Sequence, residues 1–206
     1  MSMSDIETVQ ITGIILAGGA SRRLGRNKAL LELGGRSLLA QARAKIHPLC
    51  REVIVVGDPG GTGQLWGTRH VADIYPGHGA LGGIHAGLQA ARTEYSLIVA
   101  CDMPFLNRDL LWYMIGEVDS YDVVIPRLNG LTEPLHALYS RNCLGPIEGI
   151  LARRGGRIIS FFPQVRVRYI EQAEVDRFDP EHHSIFNINT AEDWRRAQKW
   201  MMEETG

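Results

Sequence analysis

The sequence predicts an α/β fold, a three-layer αβα sandwich around a mainly parallel sheet. Short apolar, β-branched runs recur between helical patterns, as βαβ units require. Glycine-rich or acidic loops follow several of these runs. No repeat, low-complexity tract or proline-rich linker divides the 206 residues, so one domain is expected over 1–206, with residues 1–9 a flexible tail.

The elements follow in order. Residues 11–16 read Ile-Thr-Gly-Ile-Ile-Leu, suited to a buried strand, and a helix is expected at 37–46. A second strand at 52–56 precedes a short loop at 58–63, and a third strand is expected at 70–72. A glycine-rich turn then enters a helix at 83–92, and the apolar run at 96–100 reads as a central strand. A helix at 108–118, strands at 122–126 and 135–139, and helices at 141–152 and 156–162 come next. The last helix, 190–202, has Thr190 as N-cap and Glu192 and Asp193 in its first turn, where acids favour the helix dipole. The arrangement is Rossmann-like. In such sheets ligands bind beyond the carboxyl ends of the strands, which gives weight to the basic loop after strand one, to Gly57, to Asp73 and to Asp102.

Composition narrows the classes of function. The chain is 45% hydrophobic and 22% charged with a net charge of −1, which gives no global attraction to nucleic acid or an anionic membrane. Anionic ligands must be caught locally. Cys50, Cys101 and Cys143 form no C-x-x-C pair, a pattern that fits a reducing compartment better than a disulfide framework. Met1 to Gln10 lacks the basic start and apolar core of a signal peptide, and no run approaches membrane-span length, so a cytoplasmic protein is expected.

The segment after the first strand carries the strongest chemical signal. Gly18, Gly19 and Gly25 let the backbone press its N–H groups against an anion, while Arg22, Arg23, Arg26 and Lys28 offset polyphosphate charge. A Walker loop is excluded, because Lys28 is followed by Ala29 and no hydroxyl is placed to hold magnesium. A dinucleotide fingerprint is excluded by the glycine spacing. The remaining pattern, Leu-Ala-Gly-Gly-x-Ser-x-Arg-x-Gly-x-x-Lys from Leu16 to Lys28, closely resembles the signature loop of nucleotidyltransferases and, in its Gly-Gly form, of the molybdenum cofactor guanylyltransferases.

Further segments carry the same resemblance. Asp102 follows a central strand, where a carboxylate could share magnesium with nucleotide phosphates, and Cys101-Asp102-Met103-Pro104 resembles the family's metal-binding motif. Taken alone, Asp-x-Pro reads as a turn or helix cap. Cys101 reads as a small buried hydrophobe and not as a nucleophile. Asp73 could accept hydrogen bonds from ribose or guanine, and residues 79–83 resemble a Gly-Pro-Leu-x-Gly motif with Ala80 in place of proline. His78 and His85 read as local hydrogen-bonders or core residues. Asn187 and Asn189 alternate about Ile188, so both amides could face a cleft, within a stretch resembling Asn-x-Asn-Thr-Pro-Glu-Asp. Arg157 lies in a short basic turn that serves equally as a solvated cluster.

The resemblance implies the nucleotide-diphospho-sugar transferase type of fold and transfer of GMP from GTP to molybdopterin with release of pyrophosphate. It implies Mg2+ on Asp102, catalysis by Arg23, Lys28 and Asp102, and substrate contacts from Leu16, Ala17, Gly18, Gly19, Lys28, Gly57, Asp73, Arg157, Asn187 and Asn189. Gly18 stands where related cytidylyltransferases carry alanine, leaving room for a bicyclic base. Transient contact with molybdoenzymes or cofactor-delivery proteins would follow. The rival readings are a cytidylyltransferase or sugar-phosphate nucleotidyltransferase of the same fold, and a non-catalytic carrier of nucleotide or cofactor.

Overall fold

The computed structural model describes residues 10–17, 28–57, 68–153 and 156–205. Its strands are β1 (Ile11–Leu16), β2 (Glu32–Leu33), β3 (Arg36–Ser37), β4 (Glu52–Val56), β5 (Arg69–Val71), β6 (Tyr95–Ala100), β7 (Val123–Leu128), β8 (Leu131–Thr132), β9 (His136–Ser140) and β10 (Val167–Glu171). The helices are α1 (Leu38–Ile46), α2 (Gly79–Ala90), α3 (Arg108–Gly116), α4 (Leu144–Leu151), α5 (Gln172–Val175) and α6 (Ala191–Thr205). Among the described residues the main sheet has eight strands in the order β10-β7-β9-β6-β1-β4-β5, with β8 paired to β7. β1 runs parallel to β4 and β6, β4 to β5 and β7 to β10, whereas β9 lies antiparallel between β6 and β7.

Period-two alternation along β1 explains the three layers. Ile11 and Ile15 face one core with Leu39, Ala42 and Ile46 of α1 and Leu110, Leu111 and Met114 of α3. Ile14 and Leu16 face the other, with Leu81, Ile84 and Leu88 of α2 and Ile147 and Leu151 of α4. A strand with apolar residues on both faces belongs at the centre of a covered sheet, and β1 sits there. A third, smaller cluster joins Leu33, Leu38, Phe105, Ile188 and Ala197, with Trp194, Trp200 and Met201 of α6 packed against it.

Most predicted elements are present, with instructive shifts. The helix expected from residue 83 starts at Gly79, because its glycines serve close packing on the sheet: a Cβ at Gly87 would lie 2.7 Å from Ile14 Cγ2. The helix expected at 141–152 divides into a 3-10 turn, Arg141–Cys143, and α4, since Pro146 has no N–H to continue an α-helical ladder from residue 142. The segment expected at 156–162 is a 3-10 helix, Ile158–Gln164, with Pro163 inside it. β10 and the β2–β3 pair were not foreseen. No described helix is long and apolar enough to cross a membrane. Cys50, Cys101 and Cys143 are all free thiols, and burial pushes each up to about 12.

Candidate active site

Strand register fixes where the chemistry gathers. Leu16 pairs with Val56 and with Ala100, and Val56 pairs with Val71, so four parallel strands end level along one edge. The backbone beyond them is stitched together: Ala17 N–H donates to Val56 O at 2.9 Å, Gly57 N–H to Val71 O at 3.1 Å and Cys101 N–H to Leu16 O at 3.1 Å. Gly57 turns away with φ +103°, a conformation that glycine adopts without strain. The Leu16 and Ala17 side chains are buried. Gly18, Gly19 and Arg23 lie outside the described residues.

Asp102 follows β6 in the middle of this edge, with its side chain 14% exposed. Lys28 Nζ donates to Asp102 Oδ2 at 2.8 Å and to Asn189 Oδ1 at 2.8 Å. Ile188 N–H donates to the Asp102 carbonyl at 3.0 Å, which docks the C-terminal segment beside the strand end. Ile188 is buried in the third cluster, so Asn187 and Asn189 on either side share the opposite direction, as their alternation requires. The start of the 3-10 turn Lys28–Leu30, the end of β6 and the C-terminal segment thus meet at one ammonium group. Lys28 has three N–H donors, and among the described residues these contacts use two of them.

Asp73 occupies a neighbouring place on the edge beyond β5. It accepts a hydrogen bond from Tyr75 N–H at 2.8 Å. Its carboxylate rests against α2 at Gly82, where an added Cβ would come within 2.9 Å of Asp73 Oδ1 and of the Tyr75 carbonyl. Arg157 precedes the 3-10 helix Ile158–Gln164 and makes no hydrogen bond to the Asp102 cluster. His85 is buried and lies 3.0 Å from Glu148, and His182 and His183 pair with Asp176 and Glu181. Among the described residues no group of three metal-ligating side chains forms. Cys101 is a buried thiol, held protonated by burial and by the adjacent Asp102 charge.

Glu133 joins the site, although its segment, Glu133 to Tyr139, resembles a family segment in the sequence but reads as local physics only as a turn followed by a strand. Its Oε2 accepts from the Asn187 side-chain amide at 3.2 Å and its Oε1 from Leu135 N–H at 3.2 Å. Burial raises its pKa, the two hydrogen bonds lower it, and the nearby Asp102 charge raises it further. A search along the ends of parallel strands passes over this residue, because β9 is antiparallel. The start of β9 therefore lies at the same edge as the end of β6, with Val99 opposite His136. Glu-Pro directly before an apolar run is the local signal, and it acquires meaning only once that direction is known.

Magnesium fits such a donor set. It is commonly held by one or two carboxylates with substrate phosphates completing the shell, and Asp102 offers a fixed carboxylate beside the Lys28 ammonium. A carboxylate and a lysine paired at the carboxyl edge of a mainly parallel sheet, in a chain whose sequence between the first strand and that lysine is glycine-rich and basic, define the class of nucleotidyltransferases. A family model for the MobA-like NTP transferase domain matches residues 13–167. The chain belongs to the MobA-like NTP transferase family. It is 39% identical over 190 residues to a probable molybdenum cofactor guanylyltransferase of Pelotomaculum thermopropionicum, covering 92% of this chain and 93% of that protein. A molybdenum cofactor guanylyltransferase of Desulfosudis oleivorans is 38% identical, with 91% and 94% covered. Among solved structures, molybdopterin-guanine dinucleotide biosynthesis protein A from Archaeoglobus fulgidus superposes with a TM-score of 0.82 at 28% identity, covering 94% of this chain and 100% of that one. The sheet and its helices are of the nucleotide-diphospho-sugar transferase type.

Proposed function

We propose that the chain is a molybdenum cofactor guanylyltransferase, transferring GMP from GTP to molybdopterin and releasing pyrophosphate. The observation that carries this reading is the meeting of Lys28, Asp102 and Asn189 at one strand edge, in a chain of the MobA-like family. The terminal phosphate of the pterin is the nucleophile. A bond forms from its oxygen to the α-phosphorus of GTP, the α–β bridging bond breaks, and pyrophosphate leaves with the electron pair. The acceptor is already anionic, so no protein nucleophile or general base is needed, and positioning with electrostatic stabilisation carries the catalysis.

In this reading Lys28 and Arg23 offset the charge that develops on the departing pyrophosphate. Asn189 holds the Lys28 ammonium in register, and Asp102 is the residue that would hold Mg2+. The ion supplies neutralisation of phosphate charge when bound. Gly18, Gly19 and the backbone of Leu16 and Ala17 approach the nucleotide, Gly57 and Asp73 its base or ribose, and Asn187 and Arg157 the pterin. The reduced cysteines accord with a cytoplasmic location, and transient contact with molybdoenzymes or delivery proteins belongs to the same reading.

The deciding experiment is magnesium-dependent pyrophosphate release with GTP, CTP, ATP and UTP, each with and without freshly prepared molybdopterin. Release that requires both GTP and the pterin is expected. Preference for another nucleotide would move the assignment within the fold, and tight GTP binding without release would make the protein a carrier.

A further inference from the structure

A cavity of about 390 Å³ opens beside Glu133, on the opposite flank of β6 from β1, β4 and β5. The sheet order explains the separation. The basic loop, Gly57 and Asp73 follow β1, β4 and β5 on one flank of β6, whereas the cavity forms where β7, β8 and the approach to β9 meet the C-terminal segment on the other. Its volume lies in the range that suits a small, flat ligand.

The cavity has an aromatic wall. The Trp200 ring lies 3.8 Å from His183 and 4.9 Å from Phe186 between centroids, and Arg196 places its guanidinium 5.0 Å from both Phe186 and Trp200. These contacts hold Trp200 and Phe186 before any ligand arrives. Leu128 and Leu131 supply apolar surface from the β7–β8 hairpin. Glu133 also lines the cavity. A carboxylate accepts about four hydrogen bonds, and the N–H groups of Leu135 and Asn187 use two. The remaining capacity matches a planar ligand edge carrying two adjacent N–H donors, and a charged acceptor strengthens such a pair. Asn187 then links this carboxylate to the segment whose next asparagine holds Lys28.

We propose that the cavity seats the fused ring of the pterin acceptor along the Trp200–Phe186 wall, with Glu133 accepting hydrogen bonds from its ring N–H and exocyclic amino group as a specificity-determining residue. The proposal rests on the acceptor assignment made above. It places the acceptor ring and the guanine base on opposite flanks of Asp102, with the phosphates meeting between them.

Binding of two fluorescent probes to the full-length protein tests this: 6-hydroxymethylpterin, and 6-hydroxymethyllumazine, in which an oxo group replaces the amino group. The wild type is expected to prefer the pterin by about tenfold or more, the scale of one charge-assisted hydrogen bond, and to keep that preference under saturating GTP. Glu133→Gln is expected to bring the two probes to within about threefold of each other, while Trp200→Leu weakens both. Equal binding of the probes by the wild type, displacement of the pterin by GTP, or an unchanged preference in Glu133→Gln would each overturn the proposal. The wild-type measurement needs no variant, so a misfolded substitution cannot obscure the result. Pyrophosphate release with GTP and molybdopterin is followed on the same preparation. Turnover without probe discrimination overturns the ring site alone, whereas discrimination without turnover upholds the ring site and overturns guanylyl transfer.

Discussion

At the scale of single residues, the candidate site depends on one ammonium group and the two oxygens that hold it. Asp102→Asn keeps the side-chain shape and removes the charge that fixes Lys28 and would hold magnesium, so kcat for pyrophosphate release should fall by about 10²-fold or more with little change in fold. Steady-state kinetics over a magnesium series checks this, and normal turnover would remove Asp102 from the machinery. Asn189→Ala acts less directly, because it leaves the charges and releases the position of Lys28. Its kcat should fall by about 10–100-fold, with KM for GTP changing less, as expected for a lost positioning contact. A fall in GTP affinity alone would assign Asn189 to ground-state binding. Lys28 was legible in the sequence through the glycine-rich basic pattern that it closes, and Asp102 through its place directly after an apolar strand. Glu133 was not, since only the reversed direction of β9 brings it to the same edge.

At the scale of elements, the sequence showed helices and central strands well and their limits less well. β1 announces itself because both of its faces are apolar, as a strand covered on both sides must be. β10, with the sequence Val-Arg-Tyr-Ile-Glu, sits at the sheet edge, where among the described residues only β7 pairs with it and charged side chains can reach water, so its apolar signal is diluted. The start of α2 was hidden by its own glycines. Read alone they suggest a turn, yet in the structure they let the helix approach β1 and β4, with Gly87 facing Ile14 and Val56. Gly87→Ala should therefore destabilise the protein despite alanine's better helix propensity. The added Cβ would sit 2.7 Å from Cγ2 of the buried, stiff Ile14 and 3.3 Å from Val56 Cγ2. Overpacking costs about 1–3 kcal/mol, and a 2.7 Å approach to a stiff buried neighbour puts this case at about 2–3 kcal/mol; with about 1 kcal/mol gained by the helix, the net loss is about 1–2 kcal/mol. Thermal unfolding should show a melting temperature lower by about 3–6 °C, and an unchanged or higher value would mean that α2 shifts freely on the sheet.

At the scale of the whole molecule, one buried histidine ties the sheet to the segments that complete the site. His136 opens β9 with no exposure, and its Nε2 lies 2.7 Å from Ser184 Oγ, which also accepts the Asn107 N–H at 2.9 Å. Asn107 caps α3, and Ser184 stands just before Asn187 and Asn189, so sheet, helix and C-terminal segment share this contact. His136 Nδ1 has no hydrogen-bond partner among the described residues. A second proton on the ring would be buried with little compensation, and burial holds the pKa down at about 4, below an ordinary value of 6.5, with the residue's own backbone opposing only in part. Between these two values the unfolded chain binds the proton and the folded chain does not, so stability is fully present above about pH 6.5 and is lost as the pH falls toward 4. The loss amounts to about 3 kcal/mol from this residue alone, a large fraction of the stability of an ordinary domain. Urea unfolding at pH 7, 5.5 and 4 should show that decline in the wild type, on a scale of about 1.4 kcal/mol per pH unit through the window. His136→Gln should start from a lower stability at pH 7, having lost a fitted ring, and then decline less between pH 7 and pH 4. Parallel curves for the two proteins would show that carboxylates elsewhere govern the acid response, and that the contact joining β9 to the C-terminal segment tolerates a charged imidazole.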